Sequence, residues 1–217
     1  MRKMKPYYEK DNITIYCGDC REILPQLGPA EVIITDPIWP NYKKSYFPAV
    51  NDPQTLLHEA LNIVQLKRLV IVLRTDSDPR FLQAVPSEYP FFRVQILPYA
   101  LPSYVGRKLS GHELAYSFGE PIPSAPGRRV IPGRGPMVQP HDRPAKGHPC
   151  SRALVHFRWL VDWWSLPRDT IIDPFMGSGT TLRAAKDLGR PAIGIEIEEE
   201  YCKIAVERLS QAAMLFE

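Results

Sequence analysis

Three acidic side chains stand where short apolar runs give out: Asp19 beyond Ile13–Tyr16, Asp173 after Asp169–Ile172, and Glu196 after Ala192–Ile195. A fourth, Asp36, follows Glu31–Thr35 and heads the segment Asp36-Pro37-Ile38-Trp39-Pro40. Carboxylates at strand tips suit ligand binding, because ligands of open α/β sheets sit outside the carboxyl ends of the strands. After Asp173 comes Pro174-Phe175-Met176-Gly177-Ser178-Gly179-Thr180-Thr181, where the glycines let the main chain approach a ligand closely. Glu196 lies about twenty residues past that turn, the separation at which an acid accepts hydrogen bonds from ribose hydroxyls.

A phosphate-cradling turn would end in Gly-Lys-Ser/Thr, whereas here Gly179 is followed by Thr180-Thr181. A pyrophosphate-binding Gly-x-Gly-x-x-Gly is also absent. Carboxylates repel phosphate and favour a ribose, an adenine amino group and a cationic amino-acid moiety. S-adenosylmethionine has all three and no phosphate. The same segment also fits an ordinary strand-to-helix turn with incidental acids. Asp36 fits a turn cap and Trp39 a packed loop aromatic when each is taken alone.

The elements that must hold these groups alternate in period. Short strands are expected at Ile13–Tyr16, Glu31–Thr35, Leu69–Leu73, Phe91–Leu97, Glu113–Phe118, Asp169–Ile172 and Ala192–Ile195. Helical spacing covers Arg21–Leu27, Asp52–Leu66, Ala153–Trp164, the stretch from the glycine turn through Leu188, and Glu198–Gln211. Asp52 is the expected N-cap of its helix, with Pro53 at the first helical position. Alternating strands and helices predict a parallel, doubly wound α/β sheet. Residues Pro121–Pro149 carry recurrent proline and glycine without hydrophobic period and read as a long loop or insert.

The quoted segments together resemble the amino-group DNA methyltransferases of the β class. Asp173–Thr181 is similar to that family's Asp-Pro-Phe-x-Gly-Ser-Gly-Thr-Thr, and Asp36–Trp39 to its Asp-Pro-Pro-Tyr. Gly18-Asp19-Cys20, His148-Pro149 and Ala192–Arg208 resemble three further family segments. The resemblance implies a Rossmann-like methyltransferase sheet with circularly permuted motif order. It implies one domain over residues 1–217, with a short Pro/Gly-rich basic insert at 98–147 as the target-recognition region. By the same resemblance Asp19, Cys20, His148, Asp173, Phe175, Gly177, Ser178, Gly179, Thr180 and Glu196 hold S-adenosylmethionine. Asp36 and the carbonyl of Pro37 would accept the hydrogens of an exocyclic amine, and Trp39 would stack on the base. Ile38 and Trp39 stand where the family has proline and tyrosine, which keeps a stacking face and loses a hydroxyl. The implied reaction is methylation of a flipped base in DNA, adenine N6 ahead of cytosine N4. A non-catalytic DNA-binding relative and a methyltransferase for RNA or small molecules are the other readings.

Lys43 and Lys44 lie between Tyr42 and Tyr46, and Arg107, Lys108, Arg128, Arg129, Arg134, Arg143 and Lys146 outnumber the acids between Leu101 and Gly147. Such residues suit phosphate contact and stacking, and equally suit a solvated loop. The whole chain has 217 residues and net charge +3, enough for one sizeable core. No apolar run of membrane-spanning length occurs, and the basic start leads into polar residues, so a cytoplasmic location without membrane is expected. Cys17 and Cys20 have the spacing of a zinc half-site without a completing pair, so ordinary reduced cysteines and no metal are expected. A homodimer is compatible with the family resemblance.

Overall fold

The computed structural model describes residues 4–41, 50–105, 108–124, 126–139 and 152–211. Its frame is an eight-stranded sheet in the order β1-β2-β8-β7-β3-β4-β6-β5. The strands are β1 (Tyr8–Lys10), β2 (Ile13–Cys17), β3 (Val32–Thr35), β4 (Arg68–Arg74), β5 (Phe91–Val105), β6 (Lys108–Gly119), β7 (Ile171–Asp173) and β8 (Ala192–Glu196). The helices are α1 (Cys20–Ile23), α2 (Pro53–Ile63), α3 (Leu154–Trp164), α4 (Thr180–Asp187) and α5 (Glu199–Ser210). Short 3-10 segments lie at Leu24–Gln26 and Pro79–Ala84.

The five central strands, β2, β8, β7, β3 and β4, run parallel. The sheet as a whole is mixed, a correction to the all-parallel expectation: β1 pairs antiparallel with β2, and β6 pairs antiparallel with both β4 and β5. A hairpin returning beside β4 needs no crossover helix, which is why this edge could turn antiparallel. Strands β5 and β6 also run longer than their apolar cores suggest. Only Glu113–Gly119 of β6 lies against β4, while Lys108–His112 pairs with β5 alone beyond β4's end.

Burial on both faces explains the unbroken apolar runs of β3 and β4. Val32, Ile34, Val70 and Val72 face α3, α4 and α5 through Phe157, Leu160, Leu182 and Ala205. Ile33, Leu69, Ile71 and Leu73 face the opposite layer, with Leu57 and Leu61 of α2. Helix α2 thus covers one face after β3, and α4 covers the other after β7. The adjacent strands β3 and β7 therefore form the switch point, where a crevice opens at the carboxyl edge. Among the described residues no helix is long and apolar enough to cross a membrane.

Part of the expected loop is ordered against the sheet. Residues 133–138 run beside β5, with bridges from Arg134 to Ile96 and from Val138 to Tyr99. The remainder of that stretch, from residue 140, lies outside the described residues.

Candidate active site

The two acidic motifs meet at the switch point. The Asp173 carboxylate, 2% exposed at the end of β7, accepts from the Thr35 hydroxyl at 2.8 Å, the Thr181 hydroxyl at 2.5 Å and the Phe175 amide at 3.2 Å. Thr181 in turn reaches the Ile34 carbonyl. These bonds tie β3, which delivers Asp36, to the start of α4. Sequence separation of over one hundred residues is thereby closed within a few side chains. Burial pushes the Asp173 carboxyl up to about 6.

Gly177 and Gly179 adopt φ of 50° and 75°, a region that side chains with a Cβ seldom enter. At Gly179 an added Cβ would also lie 2.8 Å from the Ala205 Cβ. The turn is held from β8, where Glu196 accepts from the Gly177 amide at 3.0 Å and from the Glu198 amide at 2.9 Å. Burial drives the Glu196 carboxyl up to about 7. Asp19 caps α1 by accepting from the Arg21 amide at 2.9 Å, and its charge is met by the Arg21 guanidinium at 2.5 Å. The Arg21 hydrogen bond holds its carboxyl below the usual range.

These groups line one cleft of about 720 Å³, a size that accepts a cofactor-sized ligand. Asp19, Cys20, Asp36, Pro37, Trp39, Asp173, Phe175, Gly177, Ser178, Thr180 and Glu196 all border it. Gly179 lies one step behind, as N-cap of α4. The apolar part of the wall includes Phe175, Ile197 and Tyr201. Among the described residues no cluster of three or more His, Cys, Asp or Glu has a metal-binding arrangement.

Trp39 departs from the expectation of an open stacking platform. Its side chain is 8% exposed, with Nε1 donating to the Val72 carbonyl at 3.1 Å. The guanidinium of Arg152 lies 4.0 Å from its ring centroid. Arg152 Nε also stands 2.6 Å from Asp36 Oδ2 and 3.5 Å from Glu113 Oε1. Neither Arg152 nor Glu113 was singled out for the site from the sequence. The usable signal was position: Arg152 immediately precedes the α3 pattern, and Glu113 opens a strand expected to flank the sheet. Burial raises the Asp36 carboxyl to about 7, against the lowering effect of Arg152.

The basic candidates divide. His148, Lys43, Lys44, Arg107, Arg143 and Lys146 lie outside the described residues. Lys108 begins β6 at the hairpin's outer end. Arg128 pairs with Asp162 at 2.5 Å and lies over the Trp163 ring, near the C-terminal end of α3. Arg129 and Arg134 are exposed. The structure therefore does not bring Arg128 to the cleft.

The chain is similar to known proteins along most of its length. A family model described as DNA methylase, of the N6/N4 type, matches residues 32–207. The type II methyltransferase M2.DpnII of Streptococcus pneumoniae is 63% identical over 75 residues, 35% of this chain and 28% of that one. The putative methylase YubD of Escherichia coli K12 is 31% identical over 108 residues, 50% of this chain and 44% of its own. Each of these alignments spans less than half of the curated relative. A solved structure, the M1.HpyAVI–SAM complex, superposes with TM-score 0.68 at 25% identity, covering 91% of this chain and all of that one.

Proposed function

As the chain belongs to the N6/N4 DNA methylase family, we propose that it methylates the exocyclic amino nitrogen of a base in DNA, adenine N6 in preference to cytosine N4. The observation that carries the reading is the junction of Thr35 and Asp173, which sets Asp36 and the glycine turn on one cleft. The cofactor is S-adenosylmethionine, and the donor set fits it. Seven carboxylates border the cleft (Asp19, Asp36, Asp52, Glu59, Asp173, Glu196 and Glu198) against the guanidiniums of Arg21, Arg74 and Arg152. Those arginines are themselves paired with Asp19, Asp76 and Asp36. Such a lining favours a cation without phosphate.

When bound, the cofactor supplies an electrophilic methyl on sulfur. The chain's own part is alignment, which lowers the barrier by prepaid entropy. Glu196 would accept from the cofactor's ribose hydroxyls, Asp19 and Cys20 would meet its adenine, and the main chain from Phe175 to Thr180 would meet its amino-acid end. Asp36 and the Pro37 carbonyl accept the two hydrogens of the target amine, which stabilises charge developing on nitrogen. The base must first leave the duplex, at a cost of a few kcal/mol.

Incubation with unmethylated DNA and labelled cofactor, followed by nucleoside digestion, tests this. The expected product is N6-methyldeoxyadenosine; N4-methyldeoxycytidine would move the assignment to cytosine, and cofactor binding without product would mark an inactive relative. Asp36→Ala, which removes the accepting oxygens, should lower transfer at least about a hundredfold while cofactor affinity stays within a few-fold. Retained turnover would refute the role of Asp36.

A further inference from the structure

Asp36 accepts an amine hydrogen most strongly as a carboxylate, yet its surroundings oppose that charge. Its side chain is 17% exposed. Two other acids face it, Glu113 from β6 and Asp173 from β7, and both raise its proton affinity. Tyr99 of β5 stands behind Glu113, donating to Glu113 Oε2 at 3.0 Å. Arg74, at the end of β4, lies 5.6 Å from the Trp39 ring centroid and is paired with Asp76. The cation that meets Asp36 directly is Arg152, just before α3. Its Nε and Nη2 address separate oxygens, Oδ2 at 2.6 Å and Oδ1 at 3.3 Å. Nη2 donates the hydrogen bond, while Nε contributes its charge in the ion pair, and the two contacts on separate oxygens hold the carboxylate against the guanidinium.

We infer that Arg152 is the positioning residue of this site: its guanidinium, seated on Trp39 and shared between Asp36 and Glu113, favours the ionised form of the Asp36 carboxylate and fixes its orientation. The inference deepens the proposed function, since it rests on Asp36 as the amine acceptor. Each neighbour has a part in it. The Trp39 face supports the cation at 4.0 Å. Glu113, held by Tyr99, draws the guanidinium from the side at 3.5 Å. Because Glu113 also repels Asp36, Arg152 and Glu113 act on the same proton with opposite sign: one lowers and the other raises its binding to Asp36. A guanidinium does this at every working pH, as it does not lose its proton.

The test is a carboxyl ¹³C titration of the full chain, with the Asp36 signal assigned by its loss in Asp36→Asn. Arg152→Met should raise the Asp36 midpoint by about one to three pH units, the range for losing a close opposite charge. Arg152→Lys should restore most of the charge effect, and Glu113→Gln should lower the midpoint. The acid limb of the kcat profile should move with the same sign in each variant. An Asp36 midpoint unmoved in both Arg152→Met and Glu113→Gln overturns the inference. So does an Arg152→Met protein with unchanged kcat and tighter DNA binding, because Arg152 would then be a plug occupying the base's place. If Arg152→Met does not fold, Glu113→Gln decides: a midpoint that falls supports the inference, and one that does not fall overturns it. A wild-type protein that methylates no amine defeats the proposed reaction separately, while the carboxyl titration still judges Arg152.

Discussion

Asp173 shows how one side chain can serve the fold and strain against it. Its three hydrogen bonds join β3, β7 and α4, but burial outweighs them and lifts the carboxyl to about 6 from the ordinary 3.8. The folded protein therefore holds this proton over a range where the unfolded chain has released it. Its contribution to stability is complete below about pH 4 and is lost as pH rises towards 6. Asp36 and Glu196 act with the same sign up to about 7, so the ligand-free protein should gain stability on mild acidification from pH 7. Asp173→Asn keeps polar partners for Thr35 and Thr181 and removes the titration. Urea unfolding at pH steps between 4 and 6 should show its slope smaller by about 1.4 kcal/mol per pH unit. Equal slopes in the two proteins would mean that Asp173 is charged throughout.

At the scale of elements, the parallel centre was legible because its strands are buried on both faces and bounded by proline, glycine or acid. The Asp52 cap of α2 was legible too: its carboxylate accepts from the Gln54 and Thr55 amides. Strand β1 was not, since three residues before a turn with positive φ at Asp11 and Asn12 carry no apolar alternation. The antiparallel edge was missed in direction because periodicity reports which residues are buried, not which way a strand runs. The glycine turn could be found from local spacing, whereas the Asp36–Arg152–Glu113 cluster draws on three distant elements whose charges resemble ordinary surface residues in a linear reading. Asp169 is a further such case. Expected within a strand, it instead precedes β7, where it accepts from the Leu166 amide and pairs with the buried Arg68 at the start of β4. Arg68 also donates to the Trp164 carbonyl, so the pair fastens the end of α3 to the sheet. Asp169→Ala leaves a buried guanidinium without its counter-charge and should cost about 3–5 kcal/mol. Thermal unfolding should fall by roughly 6–20 °C for a domain of this size. A loss under about 1 kcal/mol by urea unfolding would show that water replaces the carboxylate.

Over the whole molecule, charge balance alone offers little attraction to DNA, since 27 basic residues face 24 acidic ones and the cleft itself is acidic. Phosphate contacts must then come from where basic residues stand, not from net charge. The outer hairpin is the favourable place. Lys108 is five residues beyond Glu113, the residue paired with the last residue of β4, so its backbone lies about 17 Å past that point at strand rise. That extension is on the carboxyl edge of the parallel strands, the side on which the cleft opens. Arg128 is at the other end: its partner Asp162 is near the C-terminus of α3, about 15 Å of helix rise from Arg152, where α3 meets the beginning of β4. Affinity for duplex DNA measured from 50 to 200 mM salt should fall steeply. Lys108→Ala should reduce the slope of log K against log salt by about 0.9 if that side chain neutralises one phosphate. Arg128→Ala should leave the slope unchanged, its charge being already met by Asp162. The reverse pattern would place the duplex against the amino edge of the sheet, too far from Asp36 for a base to reach it.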